Sequence, residues 1–307
     1  MADFTLRQLE YFVGIVDHGS VTAAARACGV SQGAVSMAVA QLERNVGVEL
    51  LARSASQRGT PTAEGVEFAG LAREILTRTE DLKASVLGGF TGLRGKLRLG
   101  VAASMAPRIL PPLLDRFRRE HPGVEAVCLE GQPHDLEAAV RDGRADVAVV
   151  FAHSRRGAFE TIRLADAPPY AMLPEGHPLT ERDHVTMADL VGGQLILVES
   201  PPVVERVLWL FRSVDQEPGE PFTTASMETV RGLVARGLGY SFVYTVPVSR
   251  EVFDGRRVVY VPVLDHIQGN AVVALLQPGR AHPRRVEAAI EFLREELSED
   301  VERRRGA

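Results

Sequence analysis

Apolar positions follow two different grammars along this chain. Through the first 87 residues or so they recur at steps of three and four, the spacing of one helical face. Thr5 and Gln8 form a capping-box pair ahead of Leu6, Leu9, Phe12, Val13 and Val16, which predicts a first helix with a buried stripe. Ala23, Ala24 and Ala25 predict a short, smooth second helix, broken at Gly29. Ser31 then caps a third, in which Val35, Val39, Leu42 and Val46 share a face opposite Gln32, Ser36 and Ala40. Two short helices joined by a Gly-containing turn make a helix-turn-helix. A helix whose exposed face begins with short polar groups fits a DNA major groove. The run VELLARSASQRGTPT reads as strand–turn–strand.

Residues 63–88 contain no proline and form a long helix of about 39 Å. Phe68, Ile75 and Leu82 recur every seven positions, as do Ala72, Thr79 and Val86. Because a Gly-rich joint follows (Gly88, Gly89, Gly92, Gly95), no neighbouring core is expected to cover this seam, and a second copy of the chain is.

From Lys96 the second grammar takes over: short apolar runs alternate with amphipathic stretches. KLRLGVA, VEAVCLEG and ADVAVVF read as strands separated by helices at 104–120 and 135–143. A second unit opens near Ala165, with QLILVE, PFTTAS and YSFVY as strands and helices at 203–213 and 227–236. NAVVALLQPG and a helix at 283–297 return to the first unit, and 298–307 reads as a frayed charged tail. Such alternation implies a parallel sheet with right-handed crossovers. Ligands of such sheets sit beyond the strands' carboxyl ends, where helix N-termini favour anions. Ser104, Gln132, Ser200 and Thr245 fall at those points, each equally able to be no more than a helix cap. His153, just past the third strand, is placed to line the cleft or the hinge, with a purely structural role the plainer reading of a lone histidine.

Charge and composition narrow this picture. Apolar residues make up 45% of the 307, enough for two or three cores. The net charge of −5 argues against binding nucleic acid through bulk basicity. Locally, between Ser20 and Thr62, Arg26, Arg44, Arg53 and Arg58 outweigh Glu43 and Glu49. Cys28 and Cys128 show no metal-ligand spacing and are expected in the core. No signal peptide or membrane-length apolar run is read, so a cytoplasmic location without membrane partners is expected. There is no Gly-x-Ser-x-Gly elbow, no P-loop and no His-x-x-x-His pair, and Gly237-Leu238-Gly239 is read as a tight turn. No catalytic residue, metal ligand or cofactor is therefore assigned.

The N-terminal segment resembles the DNA-binding domain of LysR-type transcriptional regulators. Leu6, Leu9 and Phe12 carry the likeness in the first helix, and Ala24 and Ala25 in the second. Ser31, Gln32, Ala34, Val35, Ser36, Leu42 and Glu43 carry it in the third, followed by Gly47, Leu50, Arg53, Thr62 and Gly65. The resemblance implies an α+β multidomain protein: an N-terminal winged helix-turn-helix, a long linker helix, and a C-terminal two-lobed α/β effector domain like periplasmic binding proteins. The implied units are a DNA-binding domain over 1–62, a dimerisation helix and hinge over 63–93, a first lobe over 94–164 plus 266–307, and a second lobe over 165–265. Implied DNA-binding positions are Thr22, Ser31, Gln32, Gly33, Ser36 and Met37, with Arg53 and Arg58 of the wing on phosphates or the minor groove. Implied effector positions are Ser104, Gln132, His153, Ser200 and Thr245; implied dimer contacts are Phe68, Ala72, Ile75, Thr79, Leu82 and Val86.

The chain departs from the family pattern at Gly33, where Pro is common, at Met37, where a longer polar side chain is frequent, and at Leu51, where Phe is usual. Met37 leaves more of the base readout to Gln32 and Ser36. The expected partners are double-stranded DNA carrying an imperfect inverted repeat, a small carboxylate effector, and further copies forming a homodimer and then a homotetramer. Two alternatives stay open: a cytosolic small-molecule carrier, and a regulator that needs no ligand.

Overall fold

The computed structural model describes residues 3–52, 59–87, 92–155, 157–247, 249–265, 270–279 and 282–305. Helices α1 (Leu6–His18), α2 (Val21–Cys28) and α3 (Gln32–Val46) form the helix-turn-helix. Each starts on a hydroxyl cap: Thr5, Ser20 and Ser31 accept from the backbone N–H of Gln8, Ala23 and Ala34. Each also ends on a left-handed glycine, Gly19, Gly29 or Gly47, a conformation that only a residue without a side chain adopts cheaply. Beyond α3 the Glu43 carboxylate accepts from the Leu50 and Leu51 backbone N–H groups at 2.8 and 3.0 Å. Leu51 then pairs antiparallel with Pro61 at the base of the wing.

Helix α4 (Ala63–Leu87) crosses back over α1. Gly65 is required there, because a Cβ would collide with the Leu50 carbonyl. The first half of α4 completes the N-terminal core: Ala69 and Ala72 are buried with Leu9, Phe12, Ile15, Val35 and Leu42. Phe68 meets Phe12 edge-on at 5.5 Å and Phe4 at 6.3 Å. The expected heptad seam is thereby corrected in part. Phe68 and Ala72 are spent inside their own chain, since the helix folds back onto the α1 floor that spacing alone could not place beside it.

The first lobe comprises β1 (Arg94–Ala102), α5 (Ala106–Glu120), β2 (Gly123–Gly131), α6 (Pro133–Arg141), β3 (Val147–Phe151), β4 (Glu160–Ala167), and, after the second lobe, β10 (Asn270–Leu276) and α10 (Arg284–Arg305). Its sheet runs β2-β1-β3-β10-β4. The expected all-parallel sheet is mixed: β1 is parallel to β2 and β3, whereas the returning β10 is antiparallel to β3 and β4. A strand arriving from the other lobe enters from the opposite end and so runs the other way. β4 stays in this sheet to Ala167, past the expected junction at 164, and α10 continues helical to Arg305 where a frayed tail was expected. Its Glu- and Arg-rich end has good helix propensity.

The second lobe holds β5 (Tyr170–Pro174), α7 (Met187–Leu190), β6 (Ile196–Val198), α8 (Pro201–Arg212), β7 (Phe222–Thr224), α9 (Met227–Ala235), β8 (Ser241–Val243) and β9 (Val258–Pro262). β6 pairs with β7, and β8 with β5 and β5 with β9; a parallel bridge from Leu195 to Tyr240 joins the two sets. Each lobe has its own apolar core. Cys28 is exposed rather than buried as expected: its Sγ faces Gly14 of α1, on the side of the buried Ala24, but it is the last residue of α2 and the packing stops there; Cys128 is half-buried. Among the described residues no helix is long and apolar enough to cross a membrane.

Candidate DNA interface and inter-lobe cleft

α3 divides cleanly into two faces. Val35, Val39 and Leu42 are buried, while Ser31, Gln32, Gly33, Ser36 and Met37 are exposed. Thr22, on the second helix, is exposed too. Met37 is 71% exposed, an apolar group on this outward face. The outward face continues into Gln41 and Arg44, which sequence reading left out of the site. Arg44 donates to Gln41 Oε1 at 2.7 Å, and Gln41 donates to Asn45 Oδ1 at 2.6 Å. Simple extension of the i, i+4, i+8 series from Met37 and Ser36 would have found them. Arg53 and Arg58 lie outside the described residues.

On α4 the second half differs from the first. Leu71, Ile75 and Leu82, spaced by four and seven, are 53%, 41% and 65% exposed. They form an outward apolar stripe with Thr79, partly buried, at its edge. The Val86 side chain lies outside the described residues.

The cleft is assembled from strand ends. Ala102 stands opposite Gly131 in register, so Ser104 and Gln132 emerge side by side from β1 and β2. Leu195 stands opposite Tyr240, so Ser200 and Thr245, each five residues on, leave the second lobe at one level. Across the gap, the buried Ser200 hydroxyl donates to Gln132 Oε1 at 3.1 Å, a hydrogen bond that joins the two lobes. Ser200 and Gln132 are the residues preceding α8 and α6, yet neither side chain caps its helix. Ser104 is exposed and Thr245 partly so; Met105, not Ser104, precedes α5.

The cleft floor is aromatic. His153 stacks on Phe151 at 5.8 Å and leans on Tyr244 of the second lobe at 5.4 Å. Tyr244 in turn packs into the first-lobe core. Burial holds the His153 imidazole below the usual histidine range, and the positive field of Arg206 adds to this; the Asn270 carboxamide beside the ring pulls the other way. Burial pushes the Tyr244 hydroxyl up, with Arg206 opposing. His153 is therefore neutral at pH 7. Asn270 approaches the His153 ring and Arg206 the Tyr244 hydroxyl, but among the described residues neither His153 nitrogen, nor Tyr244 Oη, nor Asn270 Nδ2 reaches a fully formed hydrogen bond. Four buried polar atoms in one region call for water or a ligand to complete them. Arg206, at 4.3 Å over the Trp209 ring, supplies positive potential at this floor. Among the described residues, no cluster of His, Cys, Asp and Glu could hold a metal ion.

Two family patterns match the chain. "Bacterial regulatory helix-turn-helix protein, lysR family" covers residues 6–66, and "LysR substrate binding domain" covers 91–298. A hydrogen peroxide-inducible genes activator from Dickeya chrysanthemi is 28% identical over 300 residues, spanning 97% of each chain. HinK, a LysR family transcriptional regulator from Pseudomonas aeruginosa, shares 31% identity over 96% of this chain and 99% of its own, with a TM-score of 0.62. A full-length OxyR variant from the same organism superposes with a TM-score of 0.77 over 96% of each chain, at 24% identity, a likeness of fold alone.

Proposed function

The chain belongs to the LysR family of bacterial transcriptional regulators, and on that premise we propose that it grips an imperfect inverted repeat through α3 and tunes that grip by binding a small carboxylate metabolite between its lobes. Gln32 and Ser36 read base edges, Met37 offers apolar contact to a thymine methyl, and Thr22, Ser31 and Gly33 approach the backbone. Arg44, with Arg53 and Arg58, adds phosphate contacts that make affinity fall with salt. The protein acts in the cytoplasm as a homodimer, with paired effector domains giving a tetramer. The exposed stripe of Leu71, Ile75 and Leu82 supports α4 as the dimer contact.

The observation that carries the effector reading is the set of incompletely bonded buried atoms at His153, Tyr244 and Asn270, under the field of Arg206. An anion bound there would accept from Tyr244, Asn270 and one His153 nitrogen, with Ser104, Gln132, Ser200 and Thr245 at the rim. Trp209 is the only tryptophan and lies under Arg206, so it reports directly on the site. Titrating a panel of small carboxylates should shift Trp209 emission for one class and change the mobility of promoter DNA with the same midpoint. Binding of neutral or cationic compounds alone would remove the anionic reading. The absence of a salt-sensitive, sequence-dependent band would remove the operator reading.

Peroxide, to which the Dickeya relative and several others owe their names, fits this chain less well. The Cys128 thiol is pushed up by burial, with the Glu130 carboxylate adding to it, so the reactive thiolate is disfavoured.

A further inference from the structure

The two ends of α6 touch two different parts of the molecule. Its leading end is the cleft itself, where Gln132 accepts from Ser200 of the other lobe. Its trailing end abuts the linker helix: the Asp142 carbonyl accepts from Arg73 Nη1 at 2.9 Å. The other arm of the same guanidinium, Nη2, pairs with Asp17 Oδ1 at 2.5 Å, one residue from the end of α1. Arg73 is only 8% exposed, although the side chain of its Asp17 partner is 39% exposed.

The backbones of α4 and the end of α6 are in ordinary van der Waals contact here, beside an open cavity of about 280 Å³ lined by Asp17, Arg73, Asp142 and Arg144. Gly70 of α4 lies against the Arg141–Asp142 backbone, and a Cβ there would stand 3.9 Å from the Arg141 carbonyl oxygen. Gly143 is left-handed, and its Cβ would stand 3.4 Å from Arg73 Cβ. The remaining carbonyls at this end of α6, those of Val140 and Arg141, accept from Gln277 at 2.8 and 2.6 Å. Helix carbonyl ends carry partial negative charge, and a buried cation is the group that holds one best.

We propose that Arg73 is the positioning residue through which the state of the cleft reaches the DNA-binding domain. A nine-residue helix, about 13 Å long, moves as a rod. When the Ser200–Gln132 bond is exchanged for a ligand, α6 shifts, its Asp142 end displaces the guanidinium fork, and the fork turns α1 through Asp17. α1 is the floor on which α2 and α3 pack, so the orientation of the recognition helix follows. This step rests on the effector reading above, but its test needs neither DNA nor effector.

The test uses hydrogen–deuterium exchange on the full-length chain. Ser200→Ala breaks the cross-lobe bond in place of a ligand. In the wild-type background it should speed exchange about threefold, both at residues 140–144 and in the C-terminal half of α1. In an Asp17→Asn background, or in Arg73→Lys, which keeps the charge but not the fork, residues 140–144 should still respond and α1 should not. Glu80→Gln loosens a separate contact between α4 and β1, the 3.8 Å pair with Arg98, and should leave the α1 response intact. The proposal is overturned if Ser200→Ala leaves α1 unchanged, if the α1 response survives in Asp17→Asn, or if Glu80→Gln abolishes it as well. Should Arg73→Lys fail to fold, Asp17→Asn alone decides. Failure here leaves operator and effector binding standing, since those are read by gel shift and Trp209 emission.

Discussion

The outward face of α3 and the floor of the cleft are both functional surfaces, yet they are built in opposite ways. On α3 the polar groups stand in water, supported from beneath by three buried side chains from the same fifteen residues. In the cleft, polar atoms of His153, Tyr244 and Asn270 are buried and incompletely bonded, on segments more than a hundred residues apart at the extremes. A face meant for a large, wet, charged polymer costs the free protein nothing to keep exposed. A site meant for a small molecule is walled off from bulk solvent, and holds polar groups whose hydrogen bonds water or the ligand completes.

The comparison can be broken most forcefully from below. Leu42→Ala removes a fully buried side chain under α3 and should cost about 2–5 kcal/mol, losing stability and operator binding together; thermal melting and gel shift check this. Gln32→Ala touches only the wet face. It should leave the melting temperature within error, yet reduce the ratio of specific to non-specific DNA affinity by about 1–3 kcal/mol, measured against a scrambled duplex. If both variants lose stability alike, the two-faced description of α3 is wrong.

On the cleft side the expected effect is smaller and depends on pH. The folded-state pKa of His153 is depressed, so in a window below about 6.5 the unfolded chain binds the proton and the folded one does not. Stability therefore falls as pH drops through that window and recovers above it. His153→Gln should lose that component, seen as a smaller difference in melting temperature between pH 7.5 and pH 5.5 than in the wild type. An unchanged difference would place His153 in bulk solvent rather than on a buried floor. The smallest effect expected is none: operator binding should be the same with and without peroxide in the wild type, as it is in Cys28→Ser combined with Cys128→Ser. A wild-type response to peroxide that the double variant loses would assign sensing to a thiol instead.

Much of the N-terminal half was legible because its signals are local. Ser31, Gly47 and the Val35–Val39–Leu42 spacing act within one helix, and a cap or a stripe needs no distant partner to be recognised. Strand ends at Ser104, Gln132, Ser200 and Thr245 were legible as positions, since strand–helix alternation fixes where each run stops. Their partners were not: sequence offers no sign that Ser200 bonds to Gln132, or that Tyr244 crosses to lie on His153. The heptad of α4 shows the same limit from the other side. Phe68 and Leu82 satisfy one period, yet one is packed on Phe12 and the other is 65% exposed.

What the sequence determined by itself, then, was which stretches become helix or strand, which side of each is apolar, and the family whose spacing they follow. These depend on dihedral preference, capping and periodicity, all settled within a few residues. Tertiary structure alone decided which apolar side meets which, where β10 enters the first sheet, and that one arginine on α4 holds both α1 and the far end of α6. The reason is physical: burial and hydrogen-bond energies depend on the partner found across space, and a chain's periodicity is blind to which partner that will be.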